Sequence, residues 1–153
     1  MKLSTKGRYA MVAMADLATQ PAGALSSLGD ISKRQDISLP YLEQLFVKLR
    51  RAGLVHSVRG PGGGYRLKAP PTDISVSAIL VAVEETVSAL HTGSGVSGGA
   101  SGTRAQSMTN RLWESLSATV YVFLQKTSLN DVVANALQPC PAVPTLFKLE
   151  EDA

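Results

Sequence analysis

Residues 59–67 read RGPGGGYRL and combine arginine side chains with a loose glycine backbone. Glycine lets a backbone approach another molecule closely, and arginine donates paired hydrogen bonds to phosphate. The stretch is therefore a candidate nucleotide cradle, a linker, or the tip of a hairpin that touches another molecule.

The residues that follow the glycines argue against a nucleotide cradle. A phosphate-binding loop needs a lysine and a hydroxyl residue after its last glycine, and a helix must follow it. A glycine-rich dinucleotide-binding motif also needs a following helix. Here Tyr65 and Arg66 follow, and the pattern continues as a strand. We interpret the stretch as a wing tip that contacts a DNA backbone or minor groove. Its candidate contacts are Arg59, Gly60, Gly62 and Gly63.

A second set of polar side chains precedes the loop on the outer side of a predicted helix. Glu43 can accept a hydrogen bond from a cytosine amino group, and Gln44 can pair with adenine. A carboxylate that faces DNA is costly without a donor, so we expect Glu43 to discriminate between operator sequences. The same side of the helix carries three more candidate DNA contacts, mainly to phosphate, namely Ser38, Tyr41 and Lys48.

The elements that hold these residues follow from helical spacing and from caps. One helix is predicted from Ser4 or Thr5 to before Pro21, and a second from Leu28 to near Gln35. The third begins after Ser38 and ends near Gly53. Its predicted inner stripe is Leu39, Leu42, Leu45, Phe46 and Leu49. Short strands flank the glycine loop, so residues 54–69 are predicted to form a hairpin.

The order helix, helix, helix, hairpin predicts a winged helix-turn-helix. We expect a mainly α fold with a small β-hairpin, in which residues 1–70 form the DNA-binding domain. Residues 71–137 are expected to hold a linker helix, a flexible loop at 88–107 and a long dimerisation helix from about Thr103 to Lys126, which a two-fold partner would cover. Residues 138–153 are expected to be an irregular tail.

The charge distribution favours a polyanionic partner. Residues 1–68 carry 11 Lys+Arg and 4 Asp+Glu, whereas residues 69–153 carry 4 and 8, within a net charge of +3 for the 153 residues. A basic half joined to an acidic half is typical of proteins that bind nucleic acid. The absence of a secretory signal, of a transmembrane segment and of a second cysteine beside Cys140 leads us to expect a cytoplasmic protein.

No set of residues predicts catalysis. His56 and His91 are isolated in the sequence, and Cys140 has no basic residue close to it. No paired-acid or nucleophile motif is present, so the sequence does not indicate an enzyme.

Three stretches resemble a known family. KGRYAMVAMADLA, LGDISKRQDISLPYLEQLFVKLRRAGLVHSVRGPGGGYRL and the LW of TNRLWESL are similar to the Rrf-type winged-helix transcription factors, and among them to the IscR-like iron–sulfur cluster regulators. The resemblance covers about residues 1–127. It implies a homodimeric regulator that binds a near-palindromic operator, with Arg59 as the wing arginine and Glu43 and Gln44 as readers. Many relatives have serine where this chain has Pro40.

The resemblance also implies a two-iron two-sulfur cluster held by three cysteines and a histidine, which this chain lacks. The matching positions fall on or near Gly95, Ser101, Ser107 and Asn110. Hydroxyl and amide oxygens are poor ligands for such a cluster compared with thiolates.

Three interpretations of the sensor remain open. The chain is a cluster-free regulator, it senses something else, or it holds a cluster through unusual ligands such as Cys140, His91, His56 or carboxylates. For function as a whole, the alternative to a DNA-binding regulator is a winged-helix module that binds other proteins.

Overall fold

The structure, a computed structural model, describes residues 3–85 and 103–137. In these residues six α-helices and one hairpin follow each other along the chain, with a 3-10 turn at Pro71–Asp73 before the fourth helix. The helices are α1 (Thr5–Thr19), α2 (Leu28–Gln35), α3 (Leu39–Arg51), α4 (Val76–Ala82), α5 (Arg104–Lys126) and α6 (Leu129–Val133), and the strands are β1 (Val55–Val58) and β2 (Gly64–Leu67). The mainly α winged helix-turn-helix fold is thus confirmed.

Two serine caps define the helix-turn-helix. The Ser27 hydroxyl accepts a hydrogen bond from the Asp30 backbone N–H at 3.1 Å, which caps α2. Ser38 caps α3 in the same way, with the Tyr41 N–H at 3.3 Å. Between the two helices Asp36 adopts a left-handed conformation with φ of 52°. This turn lets α3 leave in a new direction, as a recognition helix requires.

One core is shared by α1, α2, α3, the hairpin, α4 and α6. Phe46, Met14 and Leu42 are fully buried, as are Ile31 and Leu49. Burial of each such side chain contributes about 1.5–3 kcal/mol relative to exposure. The buried stripe of α3 therefore holds this helix against the core, and the opposite face of α3 remains exposed to solvent.

The inner stripe of α3 differs from the prediction at its first residue. Leu39 is 41% exposed, whereas Ile37 in the preceding connection is 4% exposed and belongs to the core. Helical spacing cannot predict that Ile37 takes the buried position expected for Leu39, because Ile37 lies outside the helix. The connection itself closes the core at the start of α3.

The wing is a two-stranded antiparallel hairpin that is anchored at its base. Its register pairs Val55 with Leu67 and Val58 with Gly64. The backbone of Tyr65 exchanges two hydrogen bonds with that of Ser26, at 2.8 and 3.0 Å. The segment before α2 therefore acts as a short third partner of the sheet and ties the wing to the helix-turn-helix.

The long helix α5 begins at Arg104, close to its predicted start at about Thr103, so the last residues of the predicted loop 88–107 are helical. Thr103 and Gln106 form a capping box, in which each side chain accepts a hydrogen bond from the other residue's backbone N–H. Such a box stabilises a helix start. Residues 88–102 of the predicted loop and the predicted tail 138–153 lie outside the described residues.

Candidate nucleic-acid interface

The outer face of α3 presents the two predicted base-reading side chains. Glu43 and Gln44 are both exposed, on the face opposite the buried Leu42, Leu45 and Phe46. Neither side chain has a hydrogen bond to another described residue, so their polar atoms are available to a ligand. A helix with such a face can enter the major groove of DNA, where base edges present a donor and acceptor code.

Ser38 and Tyr41 lie at the start of the same helix but differ in exposure. Ser38 is exposed, and its hydroxyl oxygen caps the helix. Tyr41 is half-buried because its ring meets that of Tyr9 edge to face, with centroids 5.6 Å apart. Burial, with smaller effects of Tyr9 and Glu85, raises the pKa of Tyr41, so its hydroxyl stays protonated and can donate a hydrogen bond.

Lys48 lies one helical turn beyond Gln44 and has a partner within the protein. Its Nζ is 2.7 Å from Oε2 of Glu84, just after α4. The hydrogen bond and positive charge of Lys48 hold the pKa of Glu84 below its usual range. The sequence predicted Lys48 as a DNA contact, but it did not predict this acidic partner.

The tip of the wing is a turn that needs glycine. Gly60 and Gly62 have φ of 99° and 73°, in the left-handed region that other residues rarely adopt. The Gly63 N–H donates to the Gly60 carbonyl at 2.9 Å, which closes the turn. A Cβ on Gly63 would lie 2.3 Å from the Val58 carbonyl oxygen. The turn carries the exposed Arg59 at its edge.

The hairpin adds two cations that sequence reasoning did not select. Arg66 and Lys68 are exposed, whereas Leu67 between them packs against the core. The alternation of apolar and basic residues in this strand was the available signal. Together with Arg59 they give the hairpin and its end three exposed cations, which suit a phosphate backbone.

The described residues do not fit an iron–sulfur cluster. Ser107 is exposed and Asn110 is half-buried on α5, and their oxygens are poor replacements for thiolates. Within residues 3–85 and 103–137, no three His, Cys, Asp or Glu side chains lie close enough to hold a metal ion. The other candidates, His91, Gly95, Ser101 and Cys140, lie outside the described residues.

In the part of the chain that the structure describes, no helix is both long and apolar enough to cross a bilayer.

Comparisons with known proteins agree with this geometry. The chain is 68% identical to the HTH-type transcriptional regulator IscR of Cereibacter sphaeroides, over 99% of both chains. It is 50% identical to the IscR of Aliivibrio salmonicida, over 88% of this chain and 79% of the relative.

Solved structures show the same fold. The T. potens IscR matches with a TM-score of 0.69 and 35% identity, over 96% of each chain. The cysteine regulator CymR of B. subtilis matches with a TM-score of 0.72 and 34% identity, over 88% of this chain and 98% of that one. The model of the Rrf2 family, described as iron-dependent transcriptional regulator, matches residues 3–135. The chain therefore belongs to the Rrf2 family of transcriptional regulators.

Proposed function

We propose that this regulator is a cytoplasmic homodimer that binds a near-palindromic double-stranded DNA operator through α3 and the wing. The observation that carries the proposal is the exposed polar face of α3, where Glu43 and Gln44 lie in the part of the chain that is richest in cations. Two such helices in a dimer enter major grooves about one helical turn apart, which requires a two-fold operator.

The side chains divide into base readers and backbone contacts. Glu43 and Gln44 read base edges, because their exposed carboxylate and amide match cytosine and adenine. Arg59 reaches the minor groove or a phosphate from the wing tip. The remaining contacts bind the DNA backbone and keep the protein in register on it. These contacts are Ser38, Tyr41, Lys48, Gly60, Gly62 and Gly63.

Dimerisation is assigned to α5, which is incompletely covered in one chain. The helix has 23 residues and no buried side chain, and within the described residues it packs chiefly against α4. Four large apolar side chains on one face are each at least 42% exposed, namely Met108, Leu112, Leu116 and Phe123. A contiguous apolar face of this kind marks an interface, and a second copy of the helix offers a matching surface.

The regulated genes are those of iron–sulfur cluster formation or iron homeostasis, and the protein acts as their repressor. The iron dependence by which the family is described and the two IscR relatives support this assignment. Within residues 3–85 and 103–137 no three His, Cys, Asp or Glu side chains could hold a metal ion, so the assignment of target genes rests on the relatives and not on a cluster site.

The test is binding of the purified protein to operator fragments at several salt concentrations. Promoter fragments of iron–sulfur assembly genes are compared with scrambled fragments of the same length. We expect clear preference for the promoters and an affinity that falls steeply with salt, since phosphate contacts release counterions.

A wild-type protein without sequence preference would contradict the proposal. The alternative, a winged-helix module that binds proteins, instead requires a target whose binding changes little with salt. The polar face of α3 favours the DNA-binding function.

A further inference from the structure

The salt bridge between Lys48 and Glu84 joins the recognition helix to the end of α4. The Lys48 Nζ and Glu84 Oε2 atoms are 2.7 Å apart, and the Glu84 side chain is 73% exposed. Lys48 is the α3 cation that the proposed function assigns to DNA. Its ammonium group therefore already has an anionic partner before DNA arrives.

The backbone around Glu84 holds this carboxylate in place. The Glu84 N–H donates to the Val81 carbonyl at 3.0 Å, and the Glu85 N–H donates to the Leu80 carbonyl at 2.9 Å. These two bonds form a Schellman motif, and Glu84 has the left-handed φ of 59° that the motif requires. Glycine is the usual residue at this point, so a glutamate there carries strain that points to a role for its side chain.

Contacts with α1 fix the same turn from the other side. The Lys6 Nζ donates to the Glu84 carbonyl at 3.0 Å. The Glu85 carboxylate accepts hydrogen bonds from the Ser4 hydroxyl and from the Gly7 N–H. The turn after α4 is thus fastened to α1 and presents one carboxylate to α3.

We propose that Glu84 is a positioning residue that occupies Lys48 in place of a DNA phosphate, so that operator binding must exchange one anion for the other. The proposal rests on the assignment of Lys48 to a phosphate contact. Its consequence is that Glu84 lowers both the affinity for DNA and the salt dependence of binding. Because the turn ends α4, a displacement of α4 would change the charge that α3 offers to DNA.

The direction of the salt effect follows from counting ions. In the wild type, each Lys48 that moves to a phosphate displaces a DNA counterion but leaves Glu84 to take up a cation. The substitution Glu84→Gln removes that uptake. The slope of the logarithm of the operator association constant against the logarithm of the salt concentration should then become steeper by up to about 0.9 for each Lys48 that binds a phosphate.

The experiment measures operator binding by fluorescence anisotropy across a salt series for the wild type, Glu84→Gln, Lys48→Gln and the double variant. We expect Glu84→Gln to bind about two- to five-fold more tightly at low salt, the range of an exposed ion pair. In the Lys48→Gln background the same change should have no effect, because the group it frees is absent. A merely structural role of Glu84 would not produce this dependence on Lys48.

The matched control is Glu114→Gln, which makes the same change of charge on the exposed surface of α5. It should leave the slope unchanged. The inference would be overturned, with operator binding intact, if the wild type and Glu84→Gln had equal slopes. It would also be overturned if Glu84→Gln changed the affinity equally with Lys48 present and with Lys48→Gln. A wild type that does not bind the operator would instead overturn the proposed function.

Discussion

Asp16 is the buried charged side chain of the described core, and it connects three parts of the fold. Its carboxylate accepts hydrogen bonds from Arg34 at 2.6 and 3.0 Å and from Gln35 at 2.7 Å. Arg34 also donates to the Ser26 hydroxyl at 3.0 Å, and Ser26 pairs with the wing. One carboxylate thus links α1 to α2 and, through Ser26, to the hairpin.

We expect Asp16→Asn to lower the free energy of unfolding near neutral pH by about 2 kcal/mol, because it removes the charge that three donors share. Chemical denaturation of the purified protein measures this value. The same change at the exposed Asp73 is the control and should leave stability nearly unchanged. Equal stabilities of the two variants would show that the Asp16 network contributes nothing specific.

The pH dependence of this difference has a definite sign. Burial works to raise the pKa of Asp16, but hydrogen bonds from Arg34 and Gln35 and the charge of Arg34 outweigh burial and hold that pKa below its ordinary value. In an unfolded chain aspartate titrates near about 3.9. The stabilisation is present above that pH and is lost as the pH falls through the lower folded value. The difference between the wild type and Asp16→Asn should therefore shrink in acid.

Arg59 is the side chain whose loss should affect DNA binding with least effect on the fold. It is exposed at the wing tip, so Arg59→Ala should weaken operator binding by at least about 1 kcal/mol, the scale of a lost specific contact. Anisotropy titrations at fixed salt measure the change, and Arg111→Ala on α5 is the matched control. Unchanged affinity in Arg59→Ala would remove the wing from the mechanism.

At the scale of elements, the wing is held by a close approach between two backbones. A Cβ on Gly64 would lie 2.6 Å from the Ser26 carbonyl oxygen, which is closer than real atoms come. The absence of a side chain therefore lets β2 pair with the segment before α2. Two contacts hold the wing in position relative to α3. One is this backbone pairing, and the other is the contact between the rings of Phe46 and Tyr65, whose centroids are 4.8 Å apart.

The substitution Gly64→Ala should lower the free energy of unfolding by about 1–3 kcal/mol, because the added methyl group forces the two backbones apart. Gly29→Ala is the control, since a Cβ there would lie 3.7 Å from the Ser27 Oγ, an ordinary contact. Alanine in that helix should be neutral or slightly stabilising. Thermal unfolding of both variants gives the comparison, and an equal melting temperature would contradict the close approach.

The sequence predicted the elements whose signals are local. The Ser38 cap, the helix end near Gly53 and the glycine-rich hairpin tip each depend on a few adjacent residues, and the structure has all three elements. The salt bridge between Lys48 and Glu84 could not be predicted, because its partners are 36 residues apart, one on α3 and the other in the turn after α4. The roles of Glu43 and Gln44 in reading bases stay predictions, although the structure exposes both.

At the scale of the whole molecule, the proposed dimer depends on the long helix α5. Its apolar face is exposed in a single chain, whereas the helix-turn-helix buries its own core. A two-fold arrangement of α5 would cover this face and present two recognition helices to one side of the DNA. In the proposed dimer, the same helix would therefore set both the number of chains and the two-fold symmetry of the operator.

The substitution Leu116→Asp should convert the dimer into a monomer, because it places a charge in the apolar face. Light scattering coupled to size-exclusion chromatography measures the mass. Ala118→Asp introduces the same residue two positions further, which helical geometry places on another side of α5. The control should remain dimeric and keep its affinity for the full operator. Two variants of equal mass would contradict the assignment of this face.

The same helix gives the protein an optical reporter. Trp113 is the single tryptophan of the chain, and it is 43% exposed beside the apolar face of α5. Indole emission moves to longer wavelength when water reaches the ring, so the emission maximum responds to covering of α5 by a second chain. All intrinsic tryptophan fluorescence comes from this one helix, which lies outside the DNA-binding domain. A simple dilution series in a fluorimeter can therefore follow subunit association without any label.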